Sequence, residues 1–217
     1  MILFFLSETA YLLSMGTAIS SLPDIPENIF MNPAGIGGKG ITITYYNPFG
    51  VPEYFSGEAN FQAFIKSLPI GMGIRIENVN RNYTEANVLL GSKFHFIGFS
   101  AGFQYKKSPF STRIQPIYLY GFQIRISHIS LGYSSERKGI GFLFDWGKIS
   151  IETDDFHQLY TGVEYSVNKD ISGMMGLNEG KPSFGIALNT KWYSVLIGFT
   201  FNTDLGTTNI YSVRWKI

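Results

Sequence analysis

The sequence predicts an all-β fold: a transmembrane antiparallel up-and-down β-barrel of about fourteen strands, preceded by a short N-terminal plug. Three observations predict it. Apolar and small or polar residues alternate with period 2 from residue 40 onward. Turn-forming clusters interrupt that alternation at short, regular intervals. The polar face is rich in Gly, Ser, Asn and Gln, while charged residues make up only 15% of the chain and aromatics 16%. A water-facing soluble surface is usually about 25–35% charged. A closed soluble core also has limited room for bulky rings on nearly every strand, whereas a lipid-facing wall has no such limit. The apolar face is therefore expected outward and the small polar face inward.

The strands are placed at 40–46, 57–66, 69–79, 83–92, 94–106, 114–126, 127–135, 139–145, 147–153, 157–167, 170–178, 183–190, 192–202 and 207–217. Ile97, Phe99, Ala101, Phe103 and Tyr105 alternate with Gly98, Ser100, Gly102 and Gln104. Tyr118, Tyr120, Phe122, Ile124 and Ile126 alternate with Leu119, Gly121, Gln123 and Arg125. Tyr193, Val195, Ile197, Phe199 and Phe201 repeat the pattern, with Leu196 and Gly198 on the other face. The first strand and the pair flanking Trp146 carry the weakest alternation. Lengths of roughly 7–13 residues suit tilted spans of a bilayer. Gly71, Gly73, Gly98 and Gly102 lie inside strands, where small inward residues leave room for luminal contents.

Composition narrows the function. Cysteine is absent, which excludes disulfide scaffolds, thiolate metal sites and cysteine nucleophiles. Net charge is +1, so no strong field points to nucleic acid. No apolar run is long enough for a transmembrane helix. Residues 2–6 are apolar but lack a positive leader, so a signal-peptide remnant over 1–10, a mature N-terminus and a late start codon all remain open. The remnant reading is preferred here.

Residues 11–39 do not alternate and are expected to form a hatch, with the barrel running over 40–217. Asp24-Ile25-Pro26-Glu27 reads as a capping box opening a short helix through Ile29, Phe30 and Met31. Asn32-Pro33 ends it, and Asn32 is expected to bond its own following backbone. Ile29, Phe30 and Met31 would then face a hydrophobic ligand. The expected plug and gate residues are Phe30, Asn32, Pro33, Ala34 and Gly35.

The stretch Ser14-Met15-Gly16-Thr17-Ala18, followed by Pro26-Glu27-Asn28-Ile29-Phe30-Met31-Asn32-Pro33-Ala34-Gly35-Ile36, resembles the N-terminal region of FadL-type outer-membrane barrels. It is more similar still to their PorV/PorQ-type relatives, which place an Asn-Pro-Ala-Gly motif before the first strand. The resemblance implies a fourteen-strand barrel with a hatch in its lumen, located in the bacterial outer membrane. It departs from the family in its short connections and in ending on Ile217, where Trp215 keeps the aromatic of the assembly signal on the same face.

The expected lumen-lining residues are Arg75, Glu77, Glu85, Gln104, Arg125, Glu164 and Arg214. Mixed charge signs in a narrow lumen suggest ion pairs across it, since unpaired buried charge is costly. Arg214 is expected to meet Glu77, Glu85 or Glu164. His95, His128 and His157 lack metal-ligand spacing. Asp154-Asp155 near His157 reads as a polar loop, and His128 and Ser130, two apart on one strand face, lie too far from each other for a nucleophile and its base. The chain is expected to be no enzyme and to need no cofactor or metal. Expected partners are outer-membrane lipid, the barrel assembly machinery and a small hydrophobic ligand, with no nucleic acid. Binding or passive transport of small hydrophobic molecules is the leading reading. An adaptor barrel of a protein secretion system, and a soluble barrel holding an apolar ligand, are the alternatives.

Overall fold

A computed structural model describes residues 10–15, 17–51, 53–79, 82–135, 137–155, 158–202 and 206–216. Fourteen strands follow one another: β1 (Gly40–Asn47), β2 (Tyr54–Ile65), β3 (Leu68–Val79), β4 (Tyr83–Phe94), β5 (Ile97–Ser108), β6 (Ser111–Ile126) and β7 (Ile129–Ser134), then β8 (Arg137–Phe144), β9 (Gly147–Asp154), β10 (Leu159–Ser166), β11 (Ile171–Asn178), β12 (Lys181–Asn189), β13 (Tyr193–Asn202) and β14 (Gly206–Lys216). Each pairs antiparallel with its neighbours in sequence, and β1 pairs with β14 from Gly40–Lys216 to Asn47–Asn209. The sheet therefore closes into an up-and-down barrel, as the alternation predicts. The two weakest expectations are present as β1 and as the β8–β9 hairpin, where Phe144 and Trp146 stack with centroids 4.9 Å apart.

The faces are also as predicted. Phe99, Phe103, Tyr120 and Phe201 are exposed on the outer surface, and Phe122 and Phe199 are half-buried there. Gly98, Ser100 and Gln104 are buried inside. This is the reverse of a soluble barrel, which hides its apolar face.

The wall is uneven. At the end holding the start of β1 and the end of β14 (the base), tight turns such as Lys66–Ser67, His95–Phe96 and Ser127–His128 join the strands. At the opposite end, β2 to β5 run twelve residues each and β6 sixteen, whereas β7 has six and β8 to β11 eight each. At ~3.3 Å per residue and ~40° of tilt, the tall wall rises about 30 Å and the low wall about 20 Å. β6 pairs with β7 only over Gly121–Ile126, so its outer half stands above the low wall as a step.

The N-terminal segment has one turn of α-helix, α1 (Ala10–Ser14), and two 3-10 turns, Pro26–Ile29 and Pro33–Gly35. The capping box expected at Asp24–Glu27 does not form. Ile25 occupies the cap position with no side-chain bond, Asp24 has φ +60°, and Glu27 turns toward the barrel wall. Only a 3-10 turn results, because Glu27 has a stronger charged partner across the lumen than a backbone amide beside it.

Candidate functional site

The site is the lumen and the segment that fills it. Between Ala10 and Gly37, every residue whose side chain is described is buried except Pro23 and Asp24. Two arms make up the segment. The first, residues 10–22, starts against β12 to β14 and runs on along the low wall. Its Ala10 amide donates to Ser212 Oγ (2.9 Å), and the Thr17 carbonyl and hydroxyl both accept from Arg137. Ser20 Oγ and the Ser21 amide donate to the two oxygens of Glu152 (2.7 and 2.8 Å), a carboxylate with 1% exposure. Tyr11 donates to Glu164 (2.8 Å), which also pairs with Lys148 (2.9 Å). Burial, then the Glu164 charge, holds the Tyr11 phenol well above its ordinary pKa.

The second arm, residues 25–37, lies against the tall wall. Asn32 is its pivot. Its Oδ1 accepts from the Ala34 amide (3.1 Å), the local bond expected from sequence, and its Nδ2 donates to the Ser20 carbonyl (2.7 Å). Asn32 thus joins the two arms. Pro33 and Ala34 lie so close to Gly98 that a Cβ there would overlap their backbone, and Asn32 stands equally close to Gly121. Gly73 accommodates Phe30, whose ring lies 4.2 Å from the Arg75 guanidinium carbon. Inward glycines are seats cut into the wall for this segment. Gly102 is different: it faces the Val88 backbone of the next strand.

Apolar packing completes the closure. Met15, Ile19, Leu22, Ile25 and Met31 form one cluster with Met174, Leu196 and Ile210 of the wall. Ile29, Phe30 and Ile36 form another with Leu89 and Leu119. Ile29, Phe30 and Met31 are 1%, 5% and 0% exposed, so they are spent on packing and offer no free surface to a ligand. The inward leucines were legible as breaks in polar alternation at Leu119 and Leu196.

Arg214 does not meet Glu77, Glu85 or Glu164. It donates to both oxygens of Glu27 (3.0 and 3.1 Å), so its partner belongs to the plug. Arg75 pairs with Glu58 (2.8 Å), a partner outside the expected set. Glu85 collects Tyr83, Gln104 and Lys106, and Gln104 in turn accepts from Gln115. Glu77 is buried beside Glu85 in register. Arg125 is a correction: it is exposed at the base, donating to the Ser127 carbonyl next to a turn, and does not line the filled lumen. His95 and His128 lie in exposed turns, Ser130 is buried facing inward, and His157 and Ile217 fall outside the described residues. No group of His, Asp and Glu fit to hold a metal occurs among the described residues.

Comparison with known proteins matches this fold. A FadL homologue of Pseudomonas aeruginosa superposes with a TM-score of 0.60 at 9% identity, covering 96% of this chain and 97% of that one. Outer membrane protein Omp33 of Acinetobacter baumannii gives 0.51 at 11% identity, covering 82% and 98%. No family profile matches the sequence. No curated protein matches it either. The chain therefore has the fourteen-strand fold seen in outer-membrane barrels, a likeness of architecture alone.

Proposed function

We propose that this chain is a bacterial outer-membrane barrel, FadL-like in kind, whose N-terminal segment closes the lumen and which passes small hydrophobic molecules when that segment yields. The observation behind this reading is the burial of all but two of the described side chains between Ala10 and Gly37 within a closed ring of strands. A filled cross-section admits nothing until the filling moves. The outward aromatic face supports a bilayer setting, and the unevenness of the wall supports an apolar cargo. An apolar band is ~25 Å tall in such barrels, more than the low wall provides. Above the plug, a hydrophobic molecule could cross the low rim between lumen and lipid without entering water.

The test is removal of residues 20–36. That deletion takes away Asn32 and the glycine-seated second arm while leaving the strands intact. Planar-bilayer conductance should rise, and uptake of a labelled fatty acid into cells expressing the variant should rise with it. Unchanged conductance in a folded variant sinks the gating idea; raised conductance without raised uptake sinks the hydrophobic cargo. The adaptor reading has one observation in its favour: the β5–β6 hairpin projects past the low wall with Phe110 97% and Ile114 68% exposed. A conducting variant that takes up no fatty acid directs attention to that hairpin.

A further inference from the structure

The outer wall carries an apolar crevice of about 460 Å3 across β10 to β13. Its cause is one residue. Gly173 points outward from β11, in register with Tyr165 on one side and Ile186 on the other. A Cβ added there would meet nothing within 4 Å. Gly57 also faces outward, but a Cβ there would touch the Thr44 carbonyl at 3.8 Å. Tyr165, Met175, Phe184 and Ile186, all exposed, border the gap.

We infer that this crevice holds one acyl chain of a bilayer phospholipid, an inference that rests on the outer-membrane reading above. Three features select that occupant. The crevice opens sideways on the outward apolar band, so what fills it comes from the bilayer. Its volume lies within the ~300–1,000 Å3 of ordinary small-molecule sites. Its base end meets an aromatic belt: Trp146 lies 6.0 Å from Tyr165 and stacks on Phe144, and Lys169 is exposed in the turn following β10. Amphipathic rings gather at headgroup level and a lysine suits a phosphate. The headgroup therefore sits at the base and the chain runs up past Gly173 toward Phe184. Association in lipid gains no hydrophobic term. The gain is dispersion: an unfilled slot forfeits contacts on both of its sides, and an ordered chain restores them. Met175, flexible and polarizable, lets the slot adapt to the chain.

The experiment inserts the full chain into dioleoyl phosphatidylcholine vesicles, extracts it in mild detergent and counts retained phospholipid by native mass spectrometry. Gly173→Phe puts a ring into the slot from a position where a Cβ meets nothing within 4 Å, and Gly57→Leu is the control elsewhere on the outer face. Wild type and Gly57→Leu should retain one phospholipid each. Occupancy in Gly173→Phe should fall about tenfold. Equal retention in all three overturns the crevice site. So does a wild-type chain that inserts but retains only detergent or free fatty acid. A chain that stays in solution without detergent and does not insert overturns the outer-membrane reading and the site together.

Discussion

The two arms of the plug both sit on inward glycines, and they differ in what is added to that fit. Along the low wall the first arm adds charge to its seats at Gly132 and Gly162: Glu152 gathers Ser20 and Ser21, Arg137 holds Thr17, and Glu164 holds Tyr11. Along the tall wall the second arm is held by fit: its backbone is pressed into Gly98 and its side chains pack on Leu89 and Leu119. The low wall is only six to eight residues long over β7 to β11. A charged side chain there reaches the first arm and bonds to it directly. The tall wall continues beyond the plug, and its charges satisfy one another above it, as in Glu58–Arg75 and Glu85–Lys106. Arg214 is the exception that crosses over, reaching from β14 to Glu27 of the second arm. Closure by fit should fail abruptly when a seat is filled. Closure by charge should weaken by degrees.

The largest effect is therefore expected on the tall wall. Gly98→Leu places a side chain where Pro33 and Ala34 put backbone, which has no rotamer to change. Overpacking of this kind costs ~1–3 kcal/mol or more. The second arm should leave its seat while the barrel stays closed at β1–β14. Conductance in planar bilayers should rise toward that of the residue 20–36 deletion, with fast amide exchange confined to residues 25–37. A variant that conducts and exchanges like wild type would show that the wall, not the plug, moves aside.

On the low wall, Glu152→Gln keeps the shape and removes the charge. Hydrogen bonds to a charged group contribute ~1.5–3 kcal/mol each in favourable cases. An amide still accepts through its one oxygen, so a loss of about 2 kcal/mol is expected. Exchange at the Ser21 amide should quicken, with the second arm unaffected. If both arms loosen together, the Asn32–Ser20 bond couples them into one unit and the comparison of two separate fastenings fails.

Much of this was legible in the sequence for a physical reason. Strand position and facing follow from a local period of two, and Phe99 against Gly98 states the side of the wall without any long-range information. The Asn32 turn was legible too, since its bond to the Ala34 amide spans two residues. Partners across the lumen were not. Glu27 followed Asp24 at the spacing of a capping box, and nothing local says that Arg214, 187 residues later, outcompetes the cap. Arg125 carried the right inward phase, but its height on β6 placed it at the base; phase fixes the face and not the level. The inward glycines announced that space was needed without naming what would fill it.

The smallest expected effect concerns Tyr11, and it separates charge from fit most finely. Tyr11→Phe keeps the ring in its apolar cluster and removes only the bond to Glu164, so about 1 kcal/mol should be lost at neutral pH. Glu164 keeps Lys148, which limits the damage. The pH dependence has a definite sign. Burial and the Glu164 charge raise the phenol's pKa in the seated plug above the ~10 of a free tyrosine, so the seated state holds the proton longer. The stabilisation from the hydroxyl is complete below about pH 10 and declines above it, as the displaced or unfolded phenol ionises first. Lys148, Arg214, Glu164 and Glu27 surround the ring in both proteins, so their own titration largely cancels in the difference. Melting followed by heat-modifiable gel migration should show a gap between wild type and Tyr11→Phe that is constant from pH 7 to 9 and closes toward pH 11. A gap that widens with pH would mean that the seated phenol ionises before the free one, and that Arg214 and Lys148, rather than burial and Glu164, govern the ring.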